Sequence, residues 1–208
     1  VTAVDIDETR TASASLRRSP LADREDELAS AGTDGLRGVR LREEPFLTQV
    51  NLRAPTASPS VARIERTLGL TLPREPNRVA GGEHDAVLWL GPDEWLVMAP
   101  EGQAGRIVEA VRTASADSPG STVDVSANRT TLRLAGPTAR EVLEKVCSLD
   151  LHPRAFGPGQ CAQSLFGRTQ AVLWQVGTEP DYRLLVRGSF ANYLTDLLLD
   201  AMAEFTHR

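Results

Sequence analysis

The sequence predicts an α+β fold in which two pseudo-repeated halves, each a split βαβ arrangement of strand, helix, strand, strand and helix, pack together. Three observations predict it. Short apolar runs with a period of two are interleaved with longer runs spaced i, i+3, i+4, in the same order twice. Proline and glycine punctuation falls at corresponding places in both series. Two stretches also nearly recur: NLRAPTASPSVARIERTLGLTLP against TLRLAGPTAREVLEKVCSLDLHP, and AVLWLGPDEWLVMAP against AVLWQVGTEPDYRLLVRG. In this alignment Leu52 matches Leu132, Ala86 matches Ala171, and Trp89 matches Trp174. Two units are too few for a solenoid, and neither half alone can cover its own apolar surface.

The elements follow in order. Residues 1–40 are rich in Ser, Thr, Ala and charge and nearly free of aromatics, so they are expected as a polar arm that orders on a partner. Within it, SPLADREDELAS predicts a short helix with Ser19 as cap, Pro20 at the first position, and Leu21 and Leu28 on one face. Residues 41–208 are expected as one folded domain whose halves span about 46–116 and 122–206. The first half opens with the strand FLTQVNLRA. A helix follows, capped by Ser58, begun by Pro59, facing inward with Val61, Ile64 and Leu68, and stopped by Gly69. After a polar loop over about 70–85 come the strands AVLWL and WLVMA, joined by a GPDE turn. EGQAGRIVEAVRTA closes the half as a helix facing inward with Ala104, Ile107, Val108 and Val111. The second half begins with the strand pair in VDVSANRTTLRLAG. Gly136, Pro137 and Thr138 open a helix whose face is Ala139, Val142, Leu143 and Val146. A loop rich in Gly, Pro and Gln leads to the strands AVLWQV and YRLLVRG. Ser189 is expected to cap a final helix, with Phe190, Tyr193, Leu194, Leu197, Leu198, Ala201, Met202 and Phe205 on one face.

Composition narrows the function classes. With 208 residues and 41% hydrophobic content the chain can build a sizeable core. Its formal charge of −5 argues against nucleic acid or an anionic membrane as the main partner. No apolar run reaches the roughly 18 residues of a membrane span, and VTAVDIDETRTASAS has no apolar signal core. A cytoplasmic protein is expected. Cys147 and Cys161 form no metal-ligand pattern; they read as two free thiols, with a single disulfide as the alternative.

The candidate chemistry is sparse. Asp93 and Glu94 could be a catalytic carboxylate pair or the tip of a turn; their recurrence beside Asp181 favours the turn. Trp89 and Trp174 read as packing residues, because a stacking platform for nucleic acid also needs a basic groove. His84, His152 and His207 have no neighbours at metal-ligand spacing. A nucleophilic Cys147 or Cys161 would need a base or a positive field that the sequence does not display. GPGQ at 157–160 and GGEHD at 81–85 lack the spacing and context of phosphate loops, and no GxSxG elbow occurs. No catalytic, cofactor-binding or metal-ligating residue is therefore assigned to this chain.

At VDVSANRTTLRLAGPTAREVL the sequence resembles the aminomethyltransferase superfamily, which includes the folate-dependent T-protein of glycine cleavage. The shared features are Asp124, Ser126, Gly136 and Pro137. SPLADREDEL, GVRLREEPFLTQVNLR, LGPDEWLV and SFANYLTDLLLDA are similar to one branch, the gamma-subunit family of heterotetrameric sarcosine oxidase, and this similarity covers nearly the whole chain. The resemblance implies a T-protein-like fold and a bacterial complex of alpha, beta, gamma and delta subunits. Such a complex oxidatively demethylates sarcosine to glycine, reduces oxygen to hydrogen peroxide, and passes the one-carbon unit to tetrahydrofolate or releases it as formaldehyde. It also implies FAD, FMN, NAD and zinc on other subunits, with the gamma chain itself non-catalytic and packed chiefly on alpha. Asp124 is then a fold signature rather than a folate catalyst. The alternatives are a stand-alone folate-binding protein of the aminomethyltransferase kind and a regulatory module that holds a ligand between its halves.

Overall fold

The structure is a computed structural model and describes residues 16–206. Ten strands form two antiparallel sheets. They are β1 (Arg40–Glu44), β2 (Thr48–Arg53), β3 (Val79–Gly81), β4 (Ala86–Gly91), β5 (Glu94–Ala99), β6 (Ser121–Asp124), β7 (Arg129–Ala135), β8 (Cys161–Phe166), β9 (Thr169–Gln175) and β10 (Asp181–Arg187). Five α-helices accompany them: α1 (Glu25–Ala31), α2 (Pro59–Leu68), α3 (Ala104–Ala114), α4 (Ala139–Val146) and α5 (Ala191–Thr206). The first sheet has the order β3-β4-β5-β2-β6 and the second β1-β7-β10-β9-β8.

This order holds a crossing that the sequence reading did not contain. Strand β1 precedes β2 in the chain, yet it pairs with β7 in the second sheet. Strand β6 precedes β7, yet it pairs with β2 in the first sheet. Each sheet thus takes one edge strand from the chain segment leading into the other. The sheets also join at their far edges, where Val79 N–H donates to Gly159 O and Cys161 N–H to Asn77 O, both at 2.9 Å.

The layers follow from strand alternation. Outward-facing Val50, Leu52, Val87, Trp95 and Val97 of the first sheet pack under Val61 and Ile64 of α2 and Ile107 and Val111 of α3. Leu132, Leu134, Leu173, Tyr182 and Leu184 of the second sheet pack under α4 and α5. The inner faces meet over Ala86, Leu88, Leu96, Met98, Cys161, Val172, Trp174 and Leu185. Local chemistry fixes the helix ends: Ser58 Oγ accepts from Ser60 N–H at 3.2 Å, and Gly69, at φ 68°, stops α2.

Several expectations change. Ser19 bonds Glu43 through its hydroxyl at 2.6 Å, and a short 3₁₀ turn at Ala22–Arg24 precedes α1, which starts only at Glu25. Of the arm expected over residues 1–40, residues 1–15 lie outside the described part. Within residues 16–39, Leu21, Leu28 and Val39 lie inside the core of the chain's own second sheet, so these side chains need no partner to be buried. Strands β1, β3 and β8 were not expected. Ser189 sits inside a 3₁₀ turn, Gly188–Phe190, with no side-chain cap, and Phe190 and Tyr193 are 44% and 38% exposed.

The matched tryptophans are also corrected. Trp89 packs on the helix side of the first sheet, whereas Trp174 lies between the sheets. Ala86 and Ala171 face opposite ways in the same manner. Letter similarity thus pairs positions of opposite strand parity, and a one-residue slip in a strand exchanges its faces.

Gly136 shows why the crossing constrains the sequence. Its φ is 129°, and a Cβ there would lie 2.5 Å from Gly38 O and 2.9 Å from Val39 Cα, where the chain passes into β1. Gly136→Ala should cost about 2 kcal/mol and lower the melting temperature by roughly 4–8 °C. Gly82→Ala, where a Cβ meets nothing within 4 Å, should leave it nearly unchanged in the same thermal melt.

Candidate functional site

The densest group of ionisable side chains lies on the inner face of the second sheet, beside the apolar seam. Arg133 of β7 and Arg183 of β10 are cross-strand partners. Glu44, at the end of β1, receives both: Arg183 Nε donates to its Oε2 at 2.6 Å and Arg133 Nη1 to its Oε1 at 3.1 Å. Asp181 accepts from Arg133 Nε at 2.8 Å. Glu83 reaches across from the β3–β4 loop of the first sheet; its carboxylate pairs with Arg133 and its carbonyl accepts from Arg183. Arg183 is only 4% exposed, and its guanidinium lies 5.0 Å from the centre of the Trp174 ring.

Burial pushes the Glu44 carboxyl up, but the hydrogen bonds and charges of Arg183 and Arg133 outweigh it and leave it below its ordinary value. The hydrogen bond from Arg133 lowers Glu83, against a smaller opposing effect of burial. Hydrogen bonding to Asp181, ahead of the opposing burial, raises Arg133. Every carboxylate in the network is engaged by arginine, so the group holds β1, β7, β10 and the β3–β4 loop together rather than offering a base.

The residues singled out in the sequence are dispersed. Asp93 and Glu94 end the β4–β5 connection. Asn51 Nδ2 donates to Glu94 Oε1 at 2.7 Å, Arg53 lies 3.0 Å from Glu94 Oε2, and the Asp93 carbonyl accepts from Ala54 N–H at 3.1 Å. Asp181 belongs to the arginine network instead. His84 and His152 are exposed in loops, and His207 lies outside the described residues. Cys147 and Cys161 are both free and buried. Burial pushes the Cys161 thiol up to about 12, so it stays protonated at neutral pH. Asp124 Oδ1 accepts from the N–H and the hydroxyl of Ser126, at 2.9 and 2.6 Å, while Ser126 Oγ accepts from Gln49 N–H at 3.0 Å. The Asp-x-Ser segment is therefore the corner at which the chain leaves β6 for β7. Among the described residues no three His, Cys, Asp or Glu side chains gather as metal ligands, and no helix is long and apolar enough to cross a membrane.

Residues 53–204 match the model of the sarcosine oxidase, gamma subunit family. The chain belongs to that family. Among curated relatives, the sarcosine oxidase subunit gamma of an Arthrobacter species is 43% identical over 196 residues, 93% of each chain. That of Corynebacterium strain P-1 is 42% identical over 194 residues, again 93% of each. Among solved structures, a chain of the heterotetrameric sarcosine oxidase from Corynebacterium U-96, in complex with pyrrole 2-carboxylate, superposes with a TM-score of 0.87 at 40% identity, covering 93% of this chain and 98% of that one. The glycine cleavage system aminomethyltransferase T from Bartonella henselae superposes with a TM-score of 0.63 at 15% identity, covering 88% of this chain and 57% of that one. The expected aminomethyltransferase-like α+β fold is thus present.

Sequence reasoning passed over the arginine network. Its one local signal is Arg183, a charge inside the otherwise apolar strand YRLLV, where alternation alone would place an apolar side chain. Glu44, Glu83 and Arg133 carry no such mark, because their meeting depends on the β1 crossing.

A depressed Glu44 stabilises the fold fully above its unfolded value near pH 4.3, and that contribution is lost as pH falls through the lower folded value. Glu44→Gln should cost about 3 kcal/mol at pH 7 by leaving Arg183 short of its counter-charge. Urea unfolding at pH 7 and pH 3.5 checks both points. The wild type should lose more stability between the two pH values than the variant, and equal losses would contradict the assignment.

Proposed function

We propose that this chain is the structural, non-catalytic gamma subunit of a heterotetrameric sarcosine oxidase and packs chiefly on the alpha subunit. The complex oxidises the N-methyl group of sarcosine, yielding glycine, reduces oxygen to hydrogen peroxide, and hands the one-carbon unit to tetrahydrofolate or releases it as formaldehyde. FAD, FMN, NAD and zinc reside on other subunits, and the assembly is cytoplasmic. The observation that carries this reading is similarity over 93% of both chains to curated gamma subunits.

The geometry supports a structural role. Leu88, Leu96, Trp174 and Leu185, none more than 1% exposed, fill the centre of the seam between the sheets, where the regulatory alternative would hold its ligand. The carboxylates of the buried network are held by arginine, and Cys161 is kept as a thiol. The reading of the chain as two repeated halves is supported by the equivalent sheet orders: β2, β3, β4, β5 and β6 occupy the same places in one sheet as β7, β8, β9, β10 and β1 in the other. Leu16 and Leu36, 83% and 97% exposed, are the apolar side chains through which the N-terminal stretch would contact a partner.

Purification from the source cell through a tag on this chain tests the proposal. A large native mass with flavin absorbance is expected, while the chain alone is colourless. A small colourless species would overturn it. Micromolar tetrahydrofolate binding by the isolated chain would favour the stand-alone folate-binding alternative.

A further inference from the structure

The inner face of the second sheet is not covered to its end. Beyond the packed seam, inward-facing positions on adjacent strands are open to solvent: Gln163 and Leu165 of β8, Gln170 of β9 and Arg187 of β10. With Arg129 of β7 they line a shallow depression of about 260 Å³. Arg129 and Arg187 are directly opposed across the β7–β10 pair, and like charges so placed destabilise a sheet.

Their surroundings do not relieve this. Among the described residues neither guanidinium has an ion-pair or hydrogen-bond partner. Other arginines that the fold buries are satisfied: Arg183 and Arg133 by Glu44 and Asp181, and Arg140 by the carbonyl of Phe156 at 3.3 Å. Arg129 is half-buried. Burial first, and then the charge of Arg187, lower it from its ordinary value, partly offset by the charge of Glu94. A half-buried guanidinium held opposite a like charge is costly unless something anionic arrives. Leu165, 53% exposed in the same cross-strand row, adds an apolar contact that a small free anion would not use.

We propose that this shelf is a docking site for a carboxylate-bearing segment of a partner subunit, with Arg129 and Arg187 gripping one acidic side chain and Leu165 packing beside it. A carboxylate offers two oxygens, one to each neighbouring guanidinium fork, and its negative charge offsets their mutual repulsion. On a chain with a net charge of −5, this basic spot selects for an acidic element against its own surroundings. The inference rests on the subunit reading above.

The test uses the full chain assembled with its partner subunits. Arg129→Gln with Arg187→Gln should raise the concentration at which the purified complex dissociates by about 30-fold or more. The isolated variant should melt no lower than wild type, because a repulsion has been removed. The exposed pair Arg66→Gln with Arg112→Gln should leave dissociation unchanged. Phenylglyoxal labelling should find Arg129 and Arg187 reactive in the isolated wild-type chain and protected in its complex, a readout independent of how the variants fold. Equal dissociation of variant and wild type, an equal effect of the control pair, or equal labelling in both states would overturn the proposal. So would a lower melting temperature of the full-length variant that disappears when residues 1–15 are removed, since the counter-charges would then be Asp5, Asp7 and Glu8 of the chain itself. Failure of the wild-type chain to assemble is a different result and would overturn the subunit reading first.

Discussion

The rest of the structure depends on the exchange of edge strands between the two sheets. Pairing β1 with β7 and β6 with β2 means that neither sheet can be completed by a continuous half of the chain. The exchange gives several otherwise unconnected features one cause. Gly136 lacks a side chain because the chain crosses above it on the way into β1. Thr138 donates its hydroxyl hydrogen to Arg37 O at 3.2 Å at the same crossing. The Asp124–Ser126 corner lets β6 end on the first sheet and β7 begin on the second. Leu21, Leu28, Val39 and Leu41 are drawn into the core of the second sheet, and part of the polar N-terminal stretch becomes integral to the fold.

The buried charges belong to the same constraint. Hydrophobic residues fill the centre of the seam, but where β1 enters, the inner face carries Arg133 and Arg183 instead. Such a network seldom adds net stability over well-packed apolar residues. It does fix position: Glu44 bonds both arginines only when β1 sits in this register on β7, and Glu83 meets Arg133 only when the sheets are docked. The network therefore discriminates between correct and slipped arrangements of the crossing.

Much of the architecture was legible because it is written in short-range patterns. The capped helix at Pro59, the helical face around Val142 and Leu143, and the strands AVLWL, WLVMA and YRLLV are specified by spacing and by Pro and Gly punctuation. The crossing was not legible. RLREE carries one apolar residue, Leu41, and reads as a solvated charge run, yet it becomes an edge strand through pairing with β7. CAQSLF lacks clear alternation and becomes β8 only through its hairpin with β9. The tryptophan mismatch has a related cause, since letter similarity carries no information about strand parity. The arginine network, and the Arg129–Arg187 pair on the same face, join residues far apart in sequence and so leave almost no local signal.

Native-state hydrogen exchange tests the strand exchange most directly. If the sheets are interlocked, the slowest amides of β2 and β5 in the first sheet and of β7 and β10 in the second should exchange through one common opening with one free energy, and denaturant should lower both together. Two distinct opening free energies, with one sheet retaining protection after the other has lost it, would contradict the account, because that behaviour requires two halves that fold without each other's edge strand.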